Sequence, residues 1–218
     1  SIRKEIIMAI TGYDETQVVA AIASINTSYD SLINALITKN QQEFVSKMGS
    51  IWGCEQAKNF FAAYKTDIDE LASKITTTYE SVVNAMNGAA QTLSNMAGST
   101  WSTKTFSSRS DTLDTSVILD NIGGIKGIDI EEAESTLEVL DSIASSVESA
   151  LEIATTAVTT SGFVGRNMQE QLEGSLSKIK DAISSKFSEE KVAVSNAIKE
   201  TVDMYSTGTD NISSNFAG

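Results

Sequence analysis

Helix-type periodicity runs for roughly thirty residues or more on each side of a single dipeptide, Trp52-Gly53. That dipeptide sets a bulky apolar residue beside the one residue that tolerates φ > 0. It predicts a tight reversal between two long antiparallel helices, with Trp52 closing the end of their seam. A second reversal of the same kind is expected at Gly162-Phe163-Val164-Gly165. The chain is therefore expected to be all-α, two long antiparallel helical hairpins packed as a four-helix bundle.

Composition supports long helices and removes much chemistry. Proline is absent from all 218 residues, where average usage would give about ten, so no helix is forced to kink or stop. Histidine is absent as well, which takes away the usual general base near neutral pH and the commonest transition-metal ligand. Cys54 is the single cysteine, so neither an intramolecular disulfide nor a cysteine-based zinc site is open to this chain. No run of apolar residues is long enough for a membrane span. The start, SIRKEIIM, lacks the apolar core and cleavage site of a signal peptide. Export, if it occurs, is expected without a cleaved signal, to the medium or the cell surface; a cytoplasmic location is the alternative. Met8 is an alternative natural start.

The net charge of −13 is unevenly placed. Residues 1–109 carry 9 Lys/Arg against 10 Asp/Glu, a net of −1, whereas residues 110–218 carry 7 against 19, a net of −12. An acidic half argues against nucleic acid and anionic membrane surfaces as partners. A basic protein surface and plain solvation of exposed helix faces both account for it.

Taken in order, residues 1–12 read as a lead-in and 13–98 as the first hairpin. Asp14 with Gln17 forms an N-cap and capping-box pair, and an apolar stripe follows from Val18 through Leu36, then Phe44, Met48 and Ile51. A polar gap at Lys39 to Gln42 is where this helix is expected to loosen. The next stripe runs from Ala57, Phe61 and Tyr64 to Leu93 and Met96, and Gly98 marks its stop. Residues 99–128 read as a linker on which Trp101 and Phe106 dock, with a possible short helix at Leu113, Val117, Ile118 and Ile122. Asp129 with Glu132 repeats the cap and opens the second hairpin, 129–208. Its stripes run Ile130 to Val158 and Met168 to Tyr205, with Gly208 as the end and 209–218 as a flexible tail.

No catalytic constellation emerges, and the chain is not expected to be an enzyme. Bundle metal sites use Glu-x-x-His motifs, which a chain without histidine cannot supply, so Glu131, Glu132, Glu134 and Glu138 are expected to face water. Neither a metal nor any other cofactor is expected. Gly123-Gly124 with Gly127 lacks the lysine and strand of a phosphate loop. Cys54 at a helix N-terminus has no histidine to activate it. The aromatics at 60, 61 and 64 are spaced for core packing. From Asp129 to Glu152 there are eight acidic residues and no basic one. Those beyond the first turn are expected to be solvated or paired with another chain, which makes Glu131, Glu134, Glu138 and Asp141 a candidate partner face.

Trp52-Gly53, flanked by helices of this length, resembles the turn of the WXG-motif family, the early-secreted-antigen type of helical hairpin exported by type VII secretion systems of Gram-positive bacteria. Phe60 stands where that family places a downstream aromatic, and Phe163-Val164-Gly165 looks like the motif with phenylalanine for tryptophan. The resemblance implies a tandem of two hairpin units packed as a single-chain version of the family's dimer. It implies an exported substrate, or an escort and adaptor that binds a larger secreted effector through a helical surface, with Trp52, Gly53, Phe163 and Gly165 as turn residues that also offer a docking surface to the export machinery. Two departures stand out. Cys54 occupies the position two after the tryptophan, and the tail carries a degraded form of the family's export signal, with Tyr205 followed by Thr209 at the required spacing and Asp210 one place later. The competing readings are a helical membrane-active protein of the α-pore-forming type and a structural coiled-coil or filament subunit; homo-oligomerisation stays open.

Overall fold

The computed structural model describes residues 12–164 and 166–217. β1 (Gly12–Tyr13) leads into α1 (residues 15–51), which is α-helical over Glu15–Ile33, π-wound over Asn34–Lys39 and Gln41–Val45, and α-helical again over Ser46–Ile51. β2 (Trp52–Gly53) turns the chain into α2 (Glu55–Met96). An extended segment then reaches β3 (Gly127–Ile128) and α3 (residues 130–159), made of Ile130–Leu137 and Val139–Thr159 with a turn at Glu138 between them. β4 (Phe163–Val164) turns into α4 (Arg166–Ala217). The protein is all-α, its helices packed against each other as a bundle. The expected lead-in up to Thr11, including Met8, lies outside the described residues, as does Gly165.

The helix ends follow from local chemistry. Asp14 and Asp129 cap α1 and α3 as expected, each Oδ1 accepting an N–H three residues on, from Gln17 and Glu132, at 3.1 Å. Gly98 ends α2 at φ +71°. The N–H of Ser99 donates to Ser94 O and that of Gly98 to Asn95 O, the paired closure in which a left-handed residue satisfies the last carbonyls. Met96, expected in the apolar stripe, is 80% exposed in this last turn. Gly208, by contrast, does not end α4. The helix runs on to Ala217, because a lone glycine costs only about 1 kcal/mol and no proline follows. The expected flexible tail is thus helical over 209–217, with the side chains through Phe216 exposed.

The chain forms two compact units, each containing part of all four helices. The first comprises the described residues up to Ile33 with Ser73–Ser110 and Val147–Ala182. Its core holds Ile22, Ile25, Tyr29, Ile75, Tyr79 and Met86, all essentially without exposed surface. A buried polar junction fixes three helices in register: the Ser28 hydroxyl meets Tyr79 Oη at 2.7 Å and donates to the carbonyl of Ala150 at 2.5 Å. Burial pushes the Tyr79 hydroxyl up to about 12, against the opposing effect of its hydrogen bond with Ser28.

The second unit comprises Asn34–Ala72, Asp111–Ser146 and the described residues from Ile183 on. Phe44, Phe61, Tyr64 and Trp52 form its aromatic centre. The two π-wound stretches take in Lys39, Gln41 and Gln42 of the polar gap read in the sequence and meet at Asn40. They place Asn40 inside the core, where its Oδ1 accepts from Tyr64 Oη at 3.0 Å.

Residues 99–126 are not the loose connection their composition suggests. In the first unit Trp101 is buried and Phe106 packs on Tyr29 at 4.8 Å, the docking anticipated for both. Asn87 grips the segment as a neighbouring strand would: its Nδ2 donates to Lys104 O and its Oδ1 accepts from Lys104 N, both at 2.8 Å, and also from Trp101 Nε1 at 3.0 Å. Asn26 Nδ2 donates to Thr105 O, and Tyr29 Oη accepts from Arg109 N.

In the second unit Gln41 repeats the two-bond grip on Asp114, at 2.9 and 2.7 Å. Asp69 accepts from Leu113 N and Lys65 donates to Leu113 O. These bonds explain why the short helix expected at Leu113–Ile122 is absent. Long-range side chains take the backbone groups a helix would need, and Leu113 and Ile118 are buried from an extended chain instead.

Candidate recognition surface

Each hairpin turn is zipped to the lead-in of an aspartate-capped helix. In the second unit Trp52 pairs with Ile128 and Gly53 with Gly127, antiparallel, and Asp129 N donates to Ile51 O at 2.8 Å. In the first unit Gly12 pairs with Val164 and Tyr13 with Phe163, and Asp14 N donates to Gly162 O at 2.9 Å. Of the expected turn residues, Trp52, Gly53 and Phe163 therefore lie at the two reversals.

The reason for the glycine differs from the one the sequence suggested. Gly53 does not have a positive φ; it is required by close approach. A Cβ there would lie 2.5 Å from the Asn121 carbonyl carbon and 2.7 Å from Ile122 Cγ1. In the other turn the left-handed residue is Gly162, at φ +81°, where a Cβ would come within 2.7 Å of Gln17 Cβ.

Trp52 is completely buried, its ring stacked on Phe60 at 6.0 Å and edge-on to Phe61. It has no exposed face to offer a partner, so the docking surface implied at this tryptophan is already covered within the chain. Its Nε1 is buried and has no hydrogen-bond acceptor among the described residues. Phe163 is half-buried and stacked on Tyr13, whose other contact is the edge of Trp101. Of the tail-signal residues, Tyr205 is half-buried near Cys54 and Asp210 is exposed on the last turns of α4.

The acidic start of α3 divides in two. Lys191 on α4 binds Asp141 at 2.6 Å and Glu138 at 3.6 Å, and these carboxylates hold its amine above the usual lysine range. Lys47 binds Glu132 at 2.7 Å. Glu138 and Asp141 are thus paired within the chain and still face water as expected, their side chains 72% and 60% exposed. Glu131 and Glu134 remain exposed and make no ion pair among the described residues.

At Glu134 lies an apolar groove of about 260 Å³, formed by Ile130 and Leu137 of α3 with Ile198 and Val202 of α4, and edged by Glu134 itself and Lys199. Ile130 is 43% exposed there. The sequence reading assigned all four apolar residues to the core stripes. The place of Ile130 and Leu137 in the first turns of α3 is the signal that could have marked a groove.

Two other arrangements carry little chemistry. Lys39 Nζ donates to Ser142 Oγ and Ser146 Oγ, both at 2.9 Å, a pairing that resembles an activated hydroxyl. Both serines sit mid-helix, where the backbone N–H groups that would stabilise an oxyanion are engaged in helical hydrogen bonds. Among the described residues no group of three or more Cys, Asp or Glu is arranged to hold a metal ion. No described helix is long and apolar enough to cross a membrane. No family model matches this sequence, and no curated protein or solved structure matches it either.

Proposed function

We propose that this protein is a type VII secretion-associated recognition protein of the WXG-like kind, an exported substrate or an escort that binds a larger secreted effector, acting without turnover. The observation that carries the reading is the first hairpin: helices of 37 and 42 residues joined at Trp52–Gly53, with Phe60 stacked on Trp52 one and a half to two turns into the second helix. The partner surface is the groove of Ile130, Leu137, Ile198 and Val202 with its acidic edge. An amphipathic helix sets apolar residues at i and i+4 into such a groove, and basic side chains on its flank meet Glu131 and Glu134. This surface takes the place of Trp52, which the chain itself has covered.

Charge reversal tests the assignment. The double variant Glu131→Lys, Glu134→Lys is expected to stay folded with a slightly lower thermal midpoint, because neither residue pairs internally but Glu131 sits in the first turn of α3, where the helix dipole favours acid by about 0.3–1 kcal/mol. It is also expected to weaken binding of the effector co-isolated from the native host by about tenfold or more, with a reduced salt dependence. Unchanged affinity in the folded double variant would move the partner surface elsewhere.

A further inference from the structure

Glu190 is an acidic residue where a hydrophobic one belongs. On α4 it sits between Phe187 and Val194 in the buried stripe, and it is itself 4% exposed. The Asp67 carboxyl of α2 lies within hydrogen-bonding reach of it. Two carboxylates cannot share a bond unless one of them carries a proton.

The groups around the pair are few. Lys186, one turn earlier on α4, reaches Asp67 at 3.8 Å but is drawn outward to Glu189 at 3.2 Å. Tyr64, one turn before Asp67 on α2, feels the field of Glu190 yet donates its own proton to Asn40 of α1. The Asn40 Nδ2 is buried and has no acceptor among the described residues. The α3 carboxylates Glu138 and Asp141 face Lys191 instead.

We propose that Glu190, buried in the apolar stripe of α4 and facing Asp67 of α2, holds its proton in the folded second unit, and that this proton is a latch: the α2–α4 contact is closed while it is held and loosens when it is lost. The transfer is simple. The proton leaves the Glu190 carboxyl for solvent base, and two carboxylates remain in a site with one partly engaged lysine.

Burial, with the Asp67 carboxylate second, pushes the Glu190 carboxyl up to about 8 from 4.5. A raised acid binds its proton more tightly in the folded state than in the unfolded chain. Its stabilising effect is therefore complete below about pH 4.5, declines as pH rises and is lost above about 8.

The test uses the full chain. Urea unfolding of the native protein and of Glu190→Gln is compared from pH 5 to 9, with the Glu190 side-chain carboxyl carbon followed by NMR. The unfolding constant of the native protein, relative to Glu190→Gln, is expected to rise about tenfold per pH unit between about 5 and 8. The carboxyl signal should titrate near 8, and the methyl signals of Ile183 and Val194 should move with it. A carboxyl that titrates in the ordinary range near 4.5, or equal pH slopes for the two proteins, would overturn the latch. If Glu190→Gln does not fold, the NMR titration of the native chain still decides.

Discussion

Trp52→Ala is expected to destabilise the second unit by about 3–5 kcal/mol, the range for truncating a fully buried large aromatic. The loss comes from the stacked and edge contacts with Phe60 and Phe61, which make Trp52 the stopper of the α1–α2 seam. Trp52→Phe is expected to cost far less, under about 1.5 kcal/mol. The indole N–H has no acceptor to lose among the described residues, and the equivalent turn in the first unit already uses Phe163. Urea unfolding followed by circular dichroism measures both variants. Equal losses would mean that the indole makes a bond the phenyl ring cannot replace.

Gly53→Ala is the second large effect, and it tests the covered turn. The added methyl meets backbone, not a side chain that can swing away: the Asn121 carbonyl carbon at 2.5 Å and its oxygen at 2.8 Å. Either the turn strains, at about 1–3 kcal/mol, or residues 121–128 lift and the Trp52–Ile128 and Gly53–Gly127 pairing opens. Limited proteolysis distinguishes the two, since a lifted segment is cut faster around Ile125. Gly127→Ala is the matched control. A Cβ there meets nothing within 4 Å, and the residue has no positive φ, so its stability should change little. A Gly53→Ala protein as stable and as protease-resistant as the native chain would mean that the covering segment is not held against the turn.

The parts of the fold that were legible in the sequence are those set by neighbours along the chain. The caps at Asp14 and Asp129 and the stop at Gly98 each involve residues within five positions of one another, so local chemistry announces them. The segment after Gly98 was not legible because what holds it is remote: Asn87 and Tyr29 grip Lys104 and Arg109, and Gln41 grips Asp114. No periodicity encodes such bonds, and a stretch rich in serine and threonine reads as slack chain. The possible short helix at Leu113–Ile122 failed for the same reason.

Polar residues inside the stripes were the missed signal. Asn40 falls between Leu36 and Phe44, and Glu190 between Phe187 and Val194, each at core spacing. Reading Asn40 as part of a polar gap, and passing over Glu190 between two stripe residues, hid the two groups that give the second unit its buried polar chemistry. The partner face was half legible. The density of acid at the start of α3 is plain in the sequence, but which carboxylates are engaged depends on Lys47 and Lys191 from other helices.

The most direct test of the functional account is export. The tagged protein would be followed in the culture fluid of its native host with the type VII ATPase intact and with it deleted. The account predicts protein outside the cell only when the ATPase is present, together with its effector. Equal release from both strains would contradict it, and retention inside the cell in both would sink the substrate reading and leave an intracellular escort or a plain structural bundle.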